Sequence, residues 1–295
     1  MYKLVIAGGT GFLGNKLLDF YKDKYSEIVV LTRGSTQQKG NITYVHWDAK
    51  NSGDWVSQLN NASALINLTG KSVDCRFTEK NKELILNSRI DSTLALANAI
   101  NTVENKPKVW LNASTAALSH TNKEENGDDF MLFVGQEWEK TFFSIENPTV
   151  RKIALRISLV FGKEGGALLP LKKITQLGLG GKQGSGKQMV SWIHVDDFVA
   201  ITNFVLHQKV IKNTVIVASP DAVSNNKLME GIRKTLNVPF GIPSYAWMLQ
   251  LGGYVIDTEP DLILNSMDVY PSKLEENGFV FTYNTLELAL ENLLT

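Results

Sequence analysis

The sequence predicts an α/β fold: a doubly wound parallel sheet of the Rossmann type with a smaller, mostly helical C-terminal substrate-capping domain. Short β-branched runs alternate with amphipathic stretches through residues 1–165. Most of those runs are continuously apolar, as expected where helices cover both faces of a parallel sheet. A glycine-rich turn joins the first strand to the first helix, the place where doubly wound folds bind ligands.

Residues 3–7 (KLVIA), 27–32 (EIVVLT), 42–47 (ITYVHW), 64–68 (ALINL), 108–113 (KVWLNA) and 153–161 (IALRISLVF) read as strands. Between the first two, "FLGNKLLDFY" places Leu13, Leu17, Leu18 and Tyr21 on one helical face. Residues 78–101 predict a long helix whose apolar stripe is Leu84, Ile85, Ile90, Leu94 and Ala97. Beyond residue 165 the texture changes to a glycine-rich loop (176–188), the segment "WIHVDDFVAITNFVL" with a helix starting after "SWI", a strand at 214–219, and short helices and turns. Residues 1–165 and 188–222 are therefore expected to form the nucleotide-binding domain, and 166–187 with 223–295 the cap.

The chain of 295 residues is 43% apolar and 20% charged, an ordinary globular composition. Thirty basic side chains balance thirty acidic ones, so there is no electrostatic handle for nucleic acid or an anionic membrane. Cys75 is the single cysteine, which excludes an internal disulfide and fits a reducing compartment. The first strand starts at residue 3, and no apolar run approaches the ~18 residues of a membrane span. The expectation is a cytoplasmic protein acting on a small molecule, with no nucleic-acid or membrane partner.

Gly8, Gly9, Thr10, Gly11, Phe12, Leu13 and Gly14 form the turn. In such a turn one glycine permits the bend, one lets a pyrophosphate approach the backbone, and the last allows helix–strand packing. The helix that opens there offers free N–H groups to the phosphates. At the end of the second strand an NAD site usually places a carboxylate on the ribose. This chain has Thr32 and Arg33 instead, and a guanidinium matches a ribose 2′-phosphate. NADP(H) is therefore preferred, with NAD(H) possible. Asp48, closing the third strand, fits either an adenine contact or a turn cap.

"GGTGFLG", "VVLTR", "LINLTGK", "KELILNSRIDST", "SWIHVDD" and "PSKLEENGF" together resemble the atypical short-chain dehydrogenase/reductases of the NAD(P)-dependent epimerase-like family. The resemblance covers essentially the whole chain and implies a Rossmann domain with a substrate cap. It adds Leu68, Thr69, Gly70 and Arg89 to the cofactor site. It places Lys71, Arg76, Trp192 and His194 at the substrate pocket, with Arg76, Lys82 and Arg89 as cations for an anionic substrate or the pyrophosphate. Lys187 and Gln188, in a loop that narrowly misses a Walker sequence, are expected at the pocket rim. Asp196 and Asp197 are expected to cap the helix after "SWI". No second His/Cys cluster accompanies them, so no metal site is expected.

Extended members of this family use a tyrosine with a lysine four residues later. None of the eight tyrosines here has lysine at that spacing. Aligned on Glu139, Met131 and Gly135 stand at the two positions, and the usual dyad is absent. Ser114 falls where the family's catalytic serine would be, although a turn or cap role fits it too. The expected function is an NADP(H)-dependent oxidoreductase or epimerase acting on a small hydroxyl- or carbonyl-bearing substrate. The alternative is a non-catalytic NADP(H)-binding sensor or regulatory protein.

Overall fold

A computed structural model describes residues 2–120, 130–249 and 259–295. The strands are β1 (Lys3–Ala7), β2 (Glu27–Thr32), β3 (Gln37–Lys39), β4 (Ile42–His46), β5 (Ala62–Asn67), β6 (Val109–Thr115), β7 (Arg151–Ile157), β8 (Leu159–Phe161), β9 (Met189–Val190), β10 (Trp192–His194), β11 (Asn213–Val217) and β12 (Val223–Ser224). The main helices are α1 (Phe12–Tyr21), α2 (Glu79–Thr102), α3 (Phe130–Ser144), α4 (Leu168–Ile174), α5 (Val195–His207) and α6 (Asn225–Thr235).

The central sheet runs β11-β7-β6-β5-β1-β2-β4-β3. Only the short edge strand β3 is antiparallel to its neighbour. β1 lies between β2 and β5, so the chain reverses its direction of travel across the sheet there. The crevice at the carboxyl end of β1 is the binding position that this topology creates.

Each central strand is buried on both faces, which explains its unbroken apolar run. Leu4, Ile6, Ile28 and Val30 pack with Leu17 and Tyr21 of α1 and with Phe198 and Ile201 of α5. Their alternates Val5, Ala7, Val29 and Leu31 pack with Leu96 and Ile100 of α2 and Phe142 of α3. A further core joins Phe161, Leu168 and Trp192 to Leu228 of α6 and Leu290 of the C-terminal helix Leu286–Leu294.

Two sequence expectations need correction. The stripe of α2 buries Ile85 and Ala97, but Leu84 and Leu94 are exposed. Ile85, Ser92, Thr93, Ala95, Leu96, Ala97, Ala99 and Ile100 are the buried set, and at 100° per residue Leu84 and Leu94 fall away from its centre. The run read as one strand over 153–161 divides at Ser158, whose amide and hydroxyl both donate to Val217 O. Beyond it β8 leaves the central sheet and pairs with β10.

β7 locks two helices. Arg151 donates to the carbonyls of Val205, Leu206, Gln208 and Ile211 at the end of α5. Lys152, pointing to the other face, donates to Phe142, Phe143 and Ile145 carbonyls at the end of α3. Each cation meets the negative end of a helix.

Candidate cofactor and substrate site

The four glycines of the turn differ in what holds them. Gly8 has φ +77°, and a Cβ there would stand 3.0 Å from the Leu68 backbone. At Gly9 it would meet Val30 at 2.9 Å, and at Gly14 it would meet Gly9 itself at 2.5 Å. Gly8, Gly9 and Gly14 are thus demanded by the fold. Gly11 is not. Its backbone is extended (φ −77°, ψ 175°), and a Cβ there would approach nothing closer than Gly8 O at 3.6 Å. The space over Gly11 is open, and it lies at the start of α1, where no side chain caps the helix. First-turn amides without a protein acceptor form a ready anion cradle.

Thr10 is exposed, while Phe12 and Leu13 are half-buried. Cβ atoms added at Gly162 and Gly165 would strike the Phe12 ring at 2.5 and 2.6 Å. The turn is thereby seated on the loop after β8, where Lys16 also reaches Glu164. Thr32 Oγ1 accepts from the Gly34 amide, leaving the exposed Arg33 side chain with no protein acceptor among the described residues. Asp48 is spent locally. Its carboxylate accepts from Lys50 N, Asn51 N and Asn51 Nδ2. These bonds, those from Asn51 first, hold its pKa down at about 2, so the turn-cap reading fits its contacts.

Leu68 and Thr69 lie against the glycine turn after β5. Thr69 Oγ1 is buried without a hydrogen-bond partner, and Asn67, bonded to Asn112, receives the Thr69 amide. Arg89 packs over Gly70, donates to Lys71 O and Ile85 O, and stands over the Trp138 ring. Burial lowers its pKa to about 10. Ser88 Oγ accepts from Lys71 N. Ser88 and Arg89 therefore pin the loop through Gly70 and Lys71 against α2. Lys82 lies on a solvated face and pairs with Glu79. Arg76 is 3.3 Å from Glu259, which also accepts from Phe77 N.

Several residues expected at the pocket lie elsewhere. Trp192 is fully buried, stacked on Phe161, and donates to Asp221 O. His194 is buried, stacks on Tyr283, and is itself the cap of α5, its Nδ1 accepting from Asp196 N. Both rings are filled in by the core and the C-terminal segment, so neither is a pocket wall. Asp197 does not cap the helix: it accepts from the Thr282 and Tyr283 amides and ties that segment down. Gln188 is buried, bonded to Gln183 O and Ile263 O, whereas the exposed Lys187 lines an open cavity of about 460 Å³ with Lys182, Ser185 and Asn226.

At the end of β6 the structure brings together groups that the sequence did not join. Ser114 Oγ donates to Glu139 Oε1 at 2.6 Å. Glu139, on α3, also accepts from Arg156 Nε at 2.9 Å and Arg156 Nη2 at 2.7 Å. Arg156 Nη1 donates to Ser119 Oγ at 3.0 Å. One turn back on α3, a Cβ at Gly135 would meet Thr115 Cγ2 at 2.5 Å and Leu118 Cγ at 3.0 Å. A side chain there requires the Thr115 and Leu118 side chains to shift.

Residues 4–131 match the NAD dependent epimerase/dehydratase family, and residues 246–293 match a domain of unknown function, DUF1731. Across its whole length the chain is 32% identical to the epimerase family protein SH2119 of Staphylococcus haemolyticus, covering 99% of that protein. The chain belongs to the epimerase family. It is also 30% identical to the epimerase family protein YfhF of Bacillus subtilis, over 99% of this chain and 97% of the relative. In fold, this epimerase-family chain matches the human epimerase family protein SDR39U1 solved with NADPH. That match has a TM-score of 0.82 at 24% identity, covering 99% and 98% of the two chains. A UDP-N-acetylglucosamine 4-epimerase from Bacillus cereus matches with a TM-score of 0.71 at 19% identity, over 99% and 95%.

Glu139 and Arg156 are the partners around Ser114 that sequence reasoning missed. A signal was present. Glu139 sits on the buried side of α3 with Gly135 and Phe142, and Arg156 interrupts an apolar strand. Charges in such places need a partner of opposite sign.

Proposed function

We propose that the protein binds NADP(H) in preference to NAD(H) and uses it on a small hydroxyl- or carbonyl-bearing substrate, without a tyrosine–lysine dyad. The observation that carries the reading is the open space over Gly11 at the uncapped start of α1, with Arg33, which has no acceptor among the described residues, at the end of the neighbouring strand. Gly8 to Gly14, Leu68 and Thr69 would hold the dinucleotide, and Arg33 the 2′-phosphate. Bound there, a nicotinamide supplies hydride chemistry, and the chain supplies position and a proton route.

Ser114 is the proposed orienting hydroxyl. With its hydrogen directed at Glu139, its oxygen lone pairs remain to accept from a substrate hydroxyl. Arg156 holds Glu139 from the far side, so the Ser114 rotamer is fixed by a charged pair and not by a phenolate. The packing at Gly135 favours a second reading, a cofactor-binding regulatory protein, because a lysine there would have to push aside Thr115 and Leu118. A turnover screen that follows NADPH oxidation with aldehydes and ketones, NADP+ reduction with alcohols, and isomer interconversion with nucleotide sugars separates the two. Turnover in the wild type that falls at least tenfold in Ser114→Ala supports the enzyme. NADPH binding without turnover on any substrate supports the regulator, and turnover indifferent to Ser114 removes it from the site.

A further inference from the structure

A second, smaller cavity of about 120 Å³ is lined by Ser119, Arg156, Thr214, Ile216, Ser272 and Lys273. It lies on the α3 face of the sheet, where Ile216 of β11 is in register with Arg156 of β7. The helix Ser272–Glu276 packs beside it. β11 stands four strands from β1, about 19 Å at the usual interstrand spacing. The cavity is therefore separate from the glycine turn.

Its polar lining has one chemical character. Arg156 has five N–H donors, three of them engaged by Glu139 and Ser119. Lys273 has three, two of them donated to Thr214 O at 2.6 Å and Lys212 O at 3.3 Å. The hydroxyl hydrogens of Ser119, Thr214 and Ser272 have no protein acceptor among the described residues. Among the described residues no carboxylate lines the space. The Arg156 charge is balanced by Glu139 behind it, while among the described residues the Lys273 charge meets only carbonyls. Spare donors, and a cation with no counter-charge among the described residues, converge on this space.

We propose that this cavity is a binding site for a small oxyanion, a phosphate group or a carboxylate, held by Lys273 and Arg156 with the surrounding hydroxyls. Such a ligand offers acceptors only and one negative charge or more, the complement of this lining. Because Arg156 also grips Glu139, occupancy of the cavity draws on the same guanidinium that fixes Ser114. The site is thereby linked to the end of β6. The proposal stands independently of the cofactor reading.

Thermal unfolding of the full chain tests it with phosphate, acetate and chloride at matched ionic strength. Phosphate, acetate or both should raise the midpoint by a few degrees over chloride. A rise with phosphate alone identifies a phosphate site, and an equal rise with acetate a carboxylate site. The rise should vanish in Lys273→Met and persist in Arg33→Ala. Should Lys273→Met fold poorly, Thr214→Val and Ser119→Ala supply the same comparison, each weakening the response at least threefold. No response beyond chloride overturns the proposal. So does a response kept in every cavity variant, or one lost in Arg33→Ala alone, which would assign the anion to the dinucleotide crevice.

Discussion

Ser114 of β6 and Glu139 of α3, 25 positions apart, share a buried hydrogen bond of 2.6 Å, and Arg156 closes the carboxylate from the other side. Glu139→Gln keeps the shape but leaves the half-buried Arg156 without its counter-charge. Breaking a buried pair in this way costs about 3 kcal/mol. The variant should unfold at a clearly lower denaturant concentration than wild type. Glu139→Gln combined with Arg156→Met should recover part of that loss. A midpoint unchanged in Glu139→Gln would show that the pair is not held together in solution.

The packing at Gly135 predicts the outcome of restoring the dyad. Its missing Cβ would lie 2.5 Å from Thr115 Cγ2, so Met131→Tyr with Gly135→Lys should destabilise the chain and produce no turnover. Gly135→Ala alone should lower stability by about 1–3 kcal/mol, the range for overpacked cores. Unfolding curves of the two variants check this directly, and a Gly135→Ala as stable as wild type would contradict it.

Lys152 carries a prediction about the scaffold alone. Its ammonium sits on three carbonyls at the end of α3. Lys152→Met should lose about 1–2 kcal/mol through the helix terminus, with cofactor affinity unaltered. Melting temperature and cofactor titration on the same preparation separate the two effects.

The pH dependence of stability should report His194. Burial lowers its pKa below the usual 6.5, only partly offset by Asp196, Asn292 and Asp197. The folded protein therefore keeps the ring neutral where the unfolded chain protonates it. The contribution is complete above about pH 6.5 and is lost as the pH falls through the folded-state value. Melting temperatures between pH 8 and 5 should fall more steeply for wild type than for His194→Asn, which retains a capping side chain and does not titrate. Parallel slopes would remove His194 from the acid response.

Much of the fold was legible because parallel strands covered on both faces leave unbroken apolar runs, as at Leu4 to Ala7 and Ile28 to Leu31. The glycine turn was legible because its spacing is a sequence motif, although the contacts that demand Gly8 and Gly9 come from Leu68 and Val30. What stayed hidden was tertiary. Whether Trp192 and His194 line a pocket or fill a core depends on Tyr283 and the C-terminal helix, some ninety residues on. Glu139 and Arg156 could not be paired from sequence because a charge in an apolar segment announces that a partner exists without naming it. The Leu84 and Leu94 error was one of phase, since α2 carries apolar residues on more than one side.

The central claim is that the crevice over Gly11 holds an NADP(H) whose 2′-phosphate is gripped by Arg33. One charge-assisted contact contributes about 1.5–3 kcal/mol, or about ten- to a hundredfold in affinity. Isothermal titration calorimetry of wild type, Arg33→Asp and Gly11→Val with NADPH and NADH measures it. The account predicts that wild type binds NADPH at least tenfold more tightly than NADH, and that Arg33→Asp erases the difference. Gly11→Val should melt like wild type, since its Cβ meets no protein atom closer than 3.6 Å, and yet bind neither dinucleotide. Equal wild-type affinities, a preference that survives Arg33→Asp, or full binding by Gly11→Val would contradict the account.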